Sequence, residues 1–172
     1  MVTTSLHEML ISAGAIRFGD FTLASGKKSR VYIDIKKAIT ESIILKKIAS
    51  EILLKNCVFD AVAGVAVGGI PLAVAVSLAS DKPYVIIRKE QKTHGIANLI
   101  IGEAEGKRIL LVEDVTTSGG SAVFGIEQLR SAGAIVEDVI TVVDRNEGAE
   151  KTLIKLDIRL TSLVSIKDLV NR

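Results

Sequence analysis

Apolar positions recur along this chain in two rhythms. Near the start, Leu6, Met9, Leu10 and Ala13 fall at i, i+3, i+4 and i+7, behind Ser5 and Glu8 at capping-box spacing, and the run stops at Gly14. That spacing predicts an amphipathic helix, with His7 as a solvated residue of its first turn. A second helix is predicted from Thr40 to Leu54, where Ile44, Ile48 and Ile52 share a face. Short apolar runs predict strands over 18–23, 31–35, 60–67, 84–88, 108–113 and 135–143, with helices over 70–80 and 122–131 between the later ones. Strands alternating with helices imply an α/β fold, a mostly parallel sheet covered on both faces. The polar stretch 89–107 has no sustained period, and a long loop inside a compact domain is usually functional. The tail from 149 offers a short helix, a possible strand over 158–164 and a final helical turn.

Residues 61–80 carry no charge, a run long enough to span a bilayer. Gly64, Gly68, Gly69 and Pro71 interrupt it, so strand, glycine turn and buried helix is the better reading, with Pro71 in the first helical turn. The 172 residues suit one domain with a substantial core. Lys and Arg number 22 against 20 Asp and Glu, a balance that does not suggest wholesale nucleic-acid binding. Cys57 is the single cysteine, which excludes an internal disulfide and suits a reducing, cytoplasmic compartment. Beside Val58 and Phe59 it reads as a buried thiol. The N-terminus lacks the basic, apolar and small-residue succession of a signal peptide.

The chemistry concentrates at Ile109-Leu110-Leu111-Val112-Glu113-Asp114-Val115-Thr116-Thr117-Ser118-Gly119-Gly120-Ser121. An apolar strand ends in two carboxylates, and hydroxyl residues and glycines then open a helix. Ligands of parallel sheets bind beyond the carboxyl ends of the strands, and free amides at a helix start attract anions. Thr116, Thr117, Ser118 and Ser121 add hydroxyl donors, and Gly119 and Gly120 allow close backbone approach. Carboxylates beside a phosphate cradle make sense when the ligand also carries a polyol or a divalent metal. The competing reading is an ordinary turn between strand and helix.

This segment resembles the binding motif of the type I phosphoribosyltransferases, which use 5-phosphoribosyl 1-diphosphate (PRPP). The resemblance implies that Glu113 and Asp114 hold the ribose hydroxyls and that Val115 through Ser121 cradle the 5′-phosphate. Arg88-Lys89-Glu90-Gln91-Lys92-Thr93-His94-Gly95 is similar to the Arg-Lys-Glu-x-Lys-x-His-Gly loop of the orotate phosphoribosyltransferases. By that resemblance Arg88, Lys89, Lys92 and His94 bind the diphosphate, with Lys92 the main catalytic lysine. A cationic lid suits pyrophosphate, whose charge grows as it leaves the sugar. The family's loop reaches into the neighbouring subunit, which implies a homodimer.

Asp144-Arg145-Asn146-Glu147-Gly148 follows another apolar strand. An arginine there can clamp a planar carboxylate with two parallel hydrogen bonds, and the family's orotate-binding arginine falls on Arg145, with Thr117 beside it. The competing reading is a surface arginine paired with Asp144 or Glu147. The segment 21–29 with Tyr32-Ile33-Asp34 resembles the family's hood over the pyrimidine, which the first 40 or so residues would largely form. Some bacterial members carry lysine where this chain has Ala24 and Gly68, and Lys27 and Lys28 are candidates to replace that charge.

The resemblance therefore implies an orotate phosphoribosyltransferase of pyrimidine biosynthesis, forming orotidine 5′-monophosphate and pyrophosphate. It implies Mg²⁺ held mainly by PRPP, with Glu113 and Asp114 nearby. Two rivals share the fold. A PRPP-sensing regulator would need a nucleic-acid-binding element, and some seventeen residues before the hood segment are too few for one. A purine-salvage enzyme would need neither the 88–95 pattern nor Arg145. No nucleic acid or membrane partner is expected.

Overall fold

The structure, a computed structural model, describes residues 4–22, 26, 28–89 and 99–167. The predicted capping box forms: the Glu8 amide donates to the Ser5 hydroxyl, the Ser5 amide donates to the Glu8 carboxylate, and helix α1 runs Leu6–Ser12. His7 is half-buried rather than solvated, its Nε2 enclosed without a hydrogen-bond partner among the described residues. Strands β1 (Ile16–Thr22) and β2 (Lys28–Ile33) pair antiparallel as a separate two-stranded sheet.

A short helix, α2 (Ile35–Ala38), follows where periodicity predicts none. The Lys37 amide donates to the Asp34 carboxylate, a local cap that outweighs the lack of an apolar repeat. Thr40, expected to open the next helix, instead donates its hydroxyl to the Lys37 carbonyl and helps close α2. Helix α3 therefore starts later, at Ser42, and ends at Leu53.

The remaining elements are β3 (Ala61–Val65), α4 (Gly69–Ser80), β4 (Tyr84–Ile87), β5 (Ile100–Ile101), β6 (Ile109–Thr116), α5 (Gly120–Ser131), β7 (Asp138–Asp144), α6 (Ala149–Ile154) and β8 (Arg159–Ser165). The uncharged run 61–80 is thus a strand, a glycine turn and a helix, and no helix among the described residues is long and apolar enough to cross a membrane. Strand β5 lies inside the stretch expected to be an irregular loop. Residue 135 makes only an isolated bridge, to Arg108, so β7 begins later than its apolar run. Cys57 is half-buried, and burial pushes its thiol up.

The six-stranded sheet has the order β5-β4-β3-β6-β7-β8, parallel except for β5. From β3 the chain passes through α4 to β4, toward one edge; from β6 it passes through α5 to β7, toward the other. The winding reverses between β3 and β6, and a crevice opens beyond their carboxyl ends.

Alternation along β6 divides the core. Leu110 and Val112 join a cluster with Leu10, Ile35, Ile48 and Leu72, while Ile109 and Leu111 join one with Ile126, Leu129 and Leu153. Truncating a fully buried leucine such as Leu111 to alanine would cost about 2–5 kcal/mol. Gly64 allows the closest approach between layers: a Cβ there would stand 2.1 Å from the Gly69 carbonyl oxygen, so the first turn of α4 rests directly on β3.

Candidate active site

Strand β6 continues through both carboxylates to Thr116, three residues beyond its predicted end, because Val115 and Thr116 still pair with Val143 and Asp144. Period-two alternation then sends Glu113 and Asp114 to opposite faces of the sheet at the same edge. Glu113 meets α5, where the Ser121 hydroxyl donates to its Oε1 at 3.1 Å. Asp114 lies on the other face, where Lys36 Nζ donates to its Oδ2 at 2.7 Å. Both carboxylates are buried.

The turn between β3 and α4 walls Asp114 from its other side. A Cβ on Gly68 would stand 2.4 Å from the Asp114 carboxyl carbon, so no side chain fits at position 68 while that carboxylate holds its place. The absence of lysine there thus has a steric counterpart.

Burial, reinforced by the charge of Asp114, pushes the Glu113 carboxyl up to about 7; the Ser121 hydrogen bond, Lys89 and Lys36 oppose the shift. Lys89, just past the end of β4, is therefore near enough for its charge to act on Glu113, as that of Lys36 does. The hydrogen bond to Asp114 raises the Lys36 ammonium, with burial opposing, and nearby Asp34 and Glu113 add to the rise.

Gly119 has φ of 89° at the start of α5, the left-handed conformation that glycine adopts without strain. It packs against the start of α6, where the Ala149 amide donates to the Thr117 carbonyl at 3.1 Å. Thr117 and Ser118 are exposed at the turn's tip, and Gly120 is exposed beside them. The Thr116 hydroxyl is buried and donates to Asp144 Oδ1 at 3.1 Å, bracing the adjacent ends of β6 and β7. Asp144 also accepts from the Asn146 amide and side chain.

Arg145 leaves the same edge, its amide donating to the Thr116 carbonyl at 3.0 Å. Of the two carboxylates weighed as partners, Glu147 is the one paired: Nε lies 2.9 Å from its Oε1, with the Arg145 side chain only 11% exposed. That pair engages Nε, and the terminal nitrogens of the fork have no partner among the described residues. Arg88 is half-buried beside Lys89, and its amide donates to the Leu99 carbonyl. Lys92 and His94 lie outside the described residues, as do Ala24 and Lys27. Lys28 is engaged within its hairpin, donating to Thr22 Oγ1 at 2.9 Å.

Lys36 is the site residue that motif reading missed. It stands two residues past the Tyr32-Ile33-Asp34 segment, and no periodicity distinguishes it from Lys37. Its partner is 78 residues away.

A glycine-containing turn, two buried carboxylates and nearby cations thus lie at the switch point of the sheet, and residues 34–168 match the family model described as "Phosphoribosyl transferase domain". The orotate phosphoribosyltransferase of Methanospirillum hungatei JF-1 is 80% identical over 171 residues, covering 99% of each chain. Among solved structures, the orotate phosphoribosyltransferase of Aeropyrum pernix is 35% identical with a TM-score of 0.86, covering 96% of each chain. That of Mycobacterium tuberculosis H37Rv in complex with PRPP is 28% identical with a TM-score of 0.79, covering 95% of this chain and 97% of the other. The chain belongs to the orotate phosphoribosyltransferase family, whose fold is the type I phosphoribosyltransferase fold.

Proposed function

We propose that the protein transfers the 5-phosphoribosyl group of PRPP to orotate, giving orotidine 5′-monophosphate and pyrophosphate in pyrimidine (UMP) biosynthesis. The observation that carries this reading is the convergence of Glu113, Asp114 and the 117–121 turn on one switch-point crevice, with the charge of Lys89 acting on Glu113 and Arg145 at the same edge. The 5′-phosphate sits in the turn, on main-chain amides and the hydroxyls of Thr117 and Ser118. Glu113 and Asp114 accept the ribose hydroxyls and offset the positive charge that develops as the bond from the anomeric carbon to the diphosphate breaks.

Arg145 clamps the orotate carboxylate with its terminal nitrogens while Glu147 fixes the guanidinium plane through Nε. With Thr117 beside it, the base is held so that N1 faces the anomeric carbon. That ring nitrogen is acidic, so positioning and electrostatics suffice without a strong general base. Arg88, Lys89, Lys92 and His94 receive the departing pyrophosphate, with Lys92 supplied across a homodimer interface. Strands β1 and β2 serve as the hood of a single domain that works in the cytoplasm.

No cluster of three or more His, Cys, Asp or Glu side chains among the described residues could hold a metal by itself. Two carboxylates on opposite faces suit an ion that arrives on the diphosphate, and Mg²⁺ bound there would neutralise the leaving group.

The test is incubation with PRPP, Mg²⁺ and each of orotate, uracil, adenine and hypoxanthine. Pyrophosphate release with orotate alone is expected. Turnover of a purine, or none with orotate, overturns the assignment.

A further inference from the structure

Lys36 takes no part in the chemistry above, yet it holds the carboxylate at the centre of it. Its side chain is 63% exposed while that of Asp114 is 9% exposed, so the ammonium closes the solvent side of a carboxylate otherwise enclosed by protein. Gly68 stands against the same carboxylate, leaving no room for a side chain. The placement of Lys36 is built in: Ile35 and Ala38 are buried, Asp34 caps α2, and of the two lysines between the buried pair Lys36 is carried to the end of β6.

The arrangement answers the question of the missing cations. Position 24 holds alanine and position 68 cannot hold a side chain beside Asp114, while Lys28 bonds Thr22. A polyanionic substrate approaching Glu113 and Asp114 is repelled unless a cation compensates them. Lys36 does so, and its bond to one carboxylate oxygen also fixes how Asp114 faces the crevice.

We propose that Lys36 is a positioning residue for PRPP, acting through Asp114 and supplying from α2 the positive charge that positions 24 and 68 lack. This rests on the reading of the crevice as a PRPP site. It concerns binding of the phosphoribosyl donor and not the choice of base.

The experiment compares wild type, Lys36→Met and Lys36→Arg in direct PRPP binding with Mg²⁺ and in steady-state kinetics, with thermal melting as the control for folding. Loss of one charge-assisted contact predicts that Lys36→Met raises Kd and KM for PRPP by about ten- to a hundred-fold. The KM for orotate at saturating PRPP stays within about twofold, and Lys36→Arg recovers most of the loss. In an Asp114→Asn background, Lys36→Met adds little, because the lysine acts through that carboxylate. Lys36→Gln replaces the methionine variant if the latter fails to fold. Unchanged PRPP affinity in the neutral variants overturns the proposal, and so does an equal loss with Asp114 neutralised. Wild type that does not bind PRPP refutes the underlying site reading instead.

Discussion

The Ser121 hydroxyl donates to Glu113 Oε1 at 3.1 Å, tying the last odd-numbered carboxylate of β6 to the first turn of α5. This single bond only partly offsets the burial that pushes Glu113 up to about 7. The folded protein therefore holds this proton more tightly than the unfolded chain does. Stability from Glu113 is fully present below about pH 4.5 and is lost as pH rises through about 7. Glu113→Gln should be stabilising relative to wild type near pH 8, by on the order of a few kcal/mol, and not near pH 4. Urea denaturation of both proteins at the two pH values checks this; a pH-independent difference would refute it.

Gly68→Ala should damage the site without straining the backbone. Gly68 has φ of −65° and ψ of −33°, accessible to alanine, so the cost comes from the collision with Asp114. We expect kcat/KM for PRPP to fall by roughly tenfold or more, as expected for a displaced charge-assisted contact. Steady-state kinetics beside a melting curve makes the comparison, and unchanged kinetics would mean that Asp114 moves aside at no cost.

Asp114→Asn should impair turnover far more than folding. The side chain keeps its shape and its partner Lys36 is largely exposed, so little stability depends on the charge. Normal melting with near-normal activity would remove Asp114 from the mechanism.

Arg145→Lys should weaken orotate much more than PRPP. Lysine retains the charge but has no fork to divide between Glu147 and a ligand carboxylate. Loss of a bond worth roughly 1.5–3 kcal/mol corresponds to about ten- to a hundred-fold in affinity. Equal weakening of both substrates would argue against a carboxylate clamp.

Lys92→Ala and Asp114→Asn subunits, each nearly inactive alone, should recover activity when mixed. If the 88–95 loop serves the neighbouring subunit, half the sites of a heterodimer combine native Lys92 with native Asp114, and the other half carry both lesions. If the loop closes over its own subunit, every site carries one lesion and mixing restores nothing. Activity of a verified heterodimer decides between them.

The alternation of elements was legible because hydrophobic period is local: a run such as 109–112 reads as a buried strand in any context. So was the placement of 113–121 where a strand gives way to a helix, since carboxylates at a strand end followed by hydroxyls and glycines need no distant partner to be recognised. Short-range polar competition was harder to read, as the Asp34 cap shows by making a helix over Ile35–Ala38 and turning Thr40 from opening α3 to closing α2. The pairing of Lys36 with Asp114 across 78 residues, the enclosure of that carboxylate by Gly68, and the choice of Glu147 over Asp144 for Arg145 belong to the tertiary structure. These depend on which helices and turns the sheet order brings to one edge. A residue's type states which bonds it can make; only packing decides which partner comes within reach.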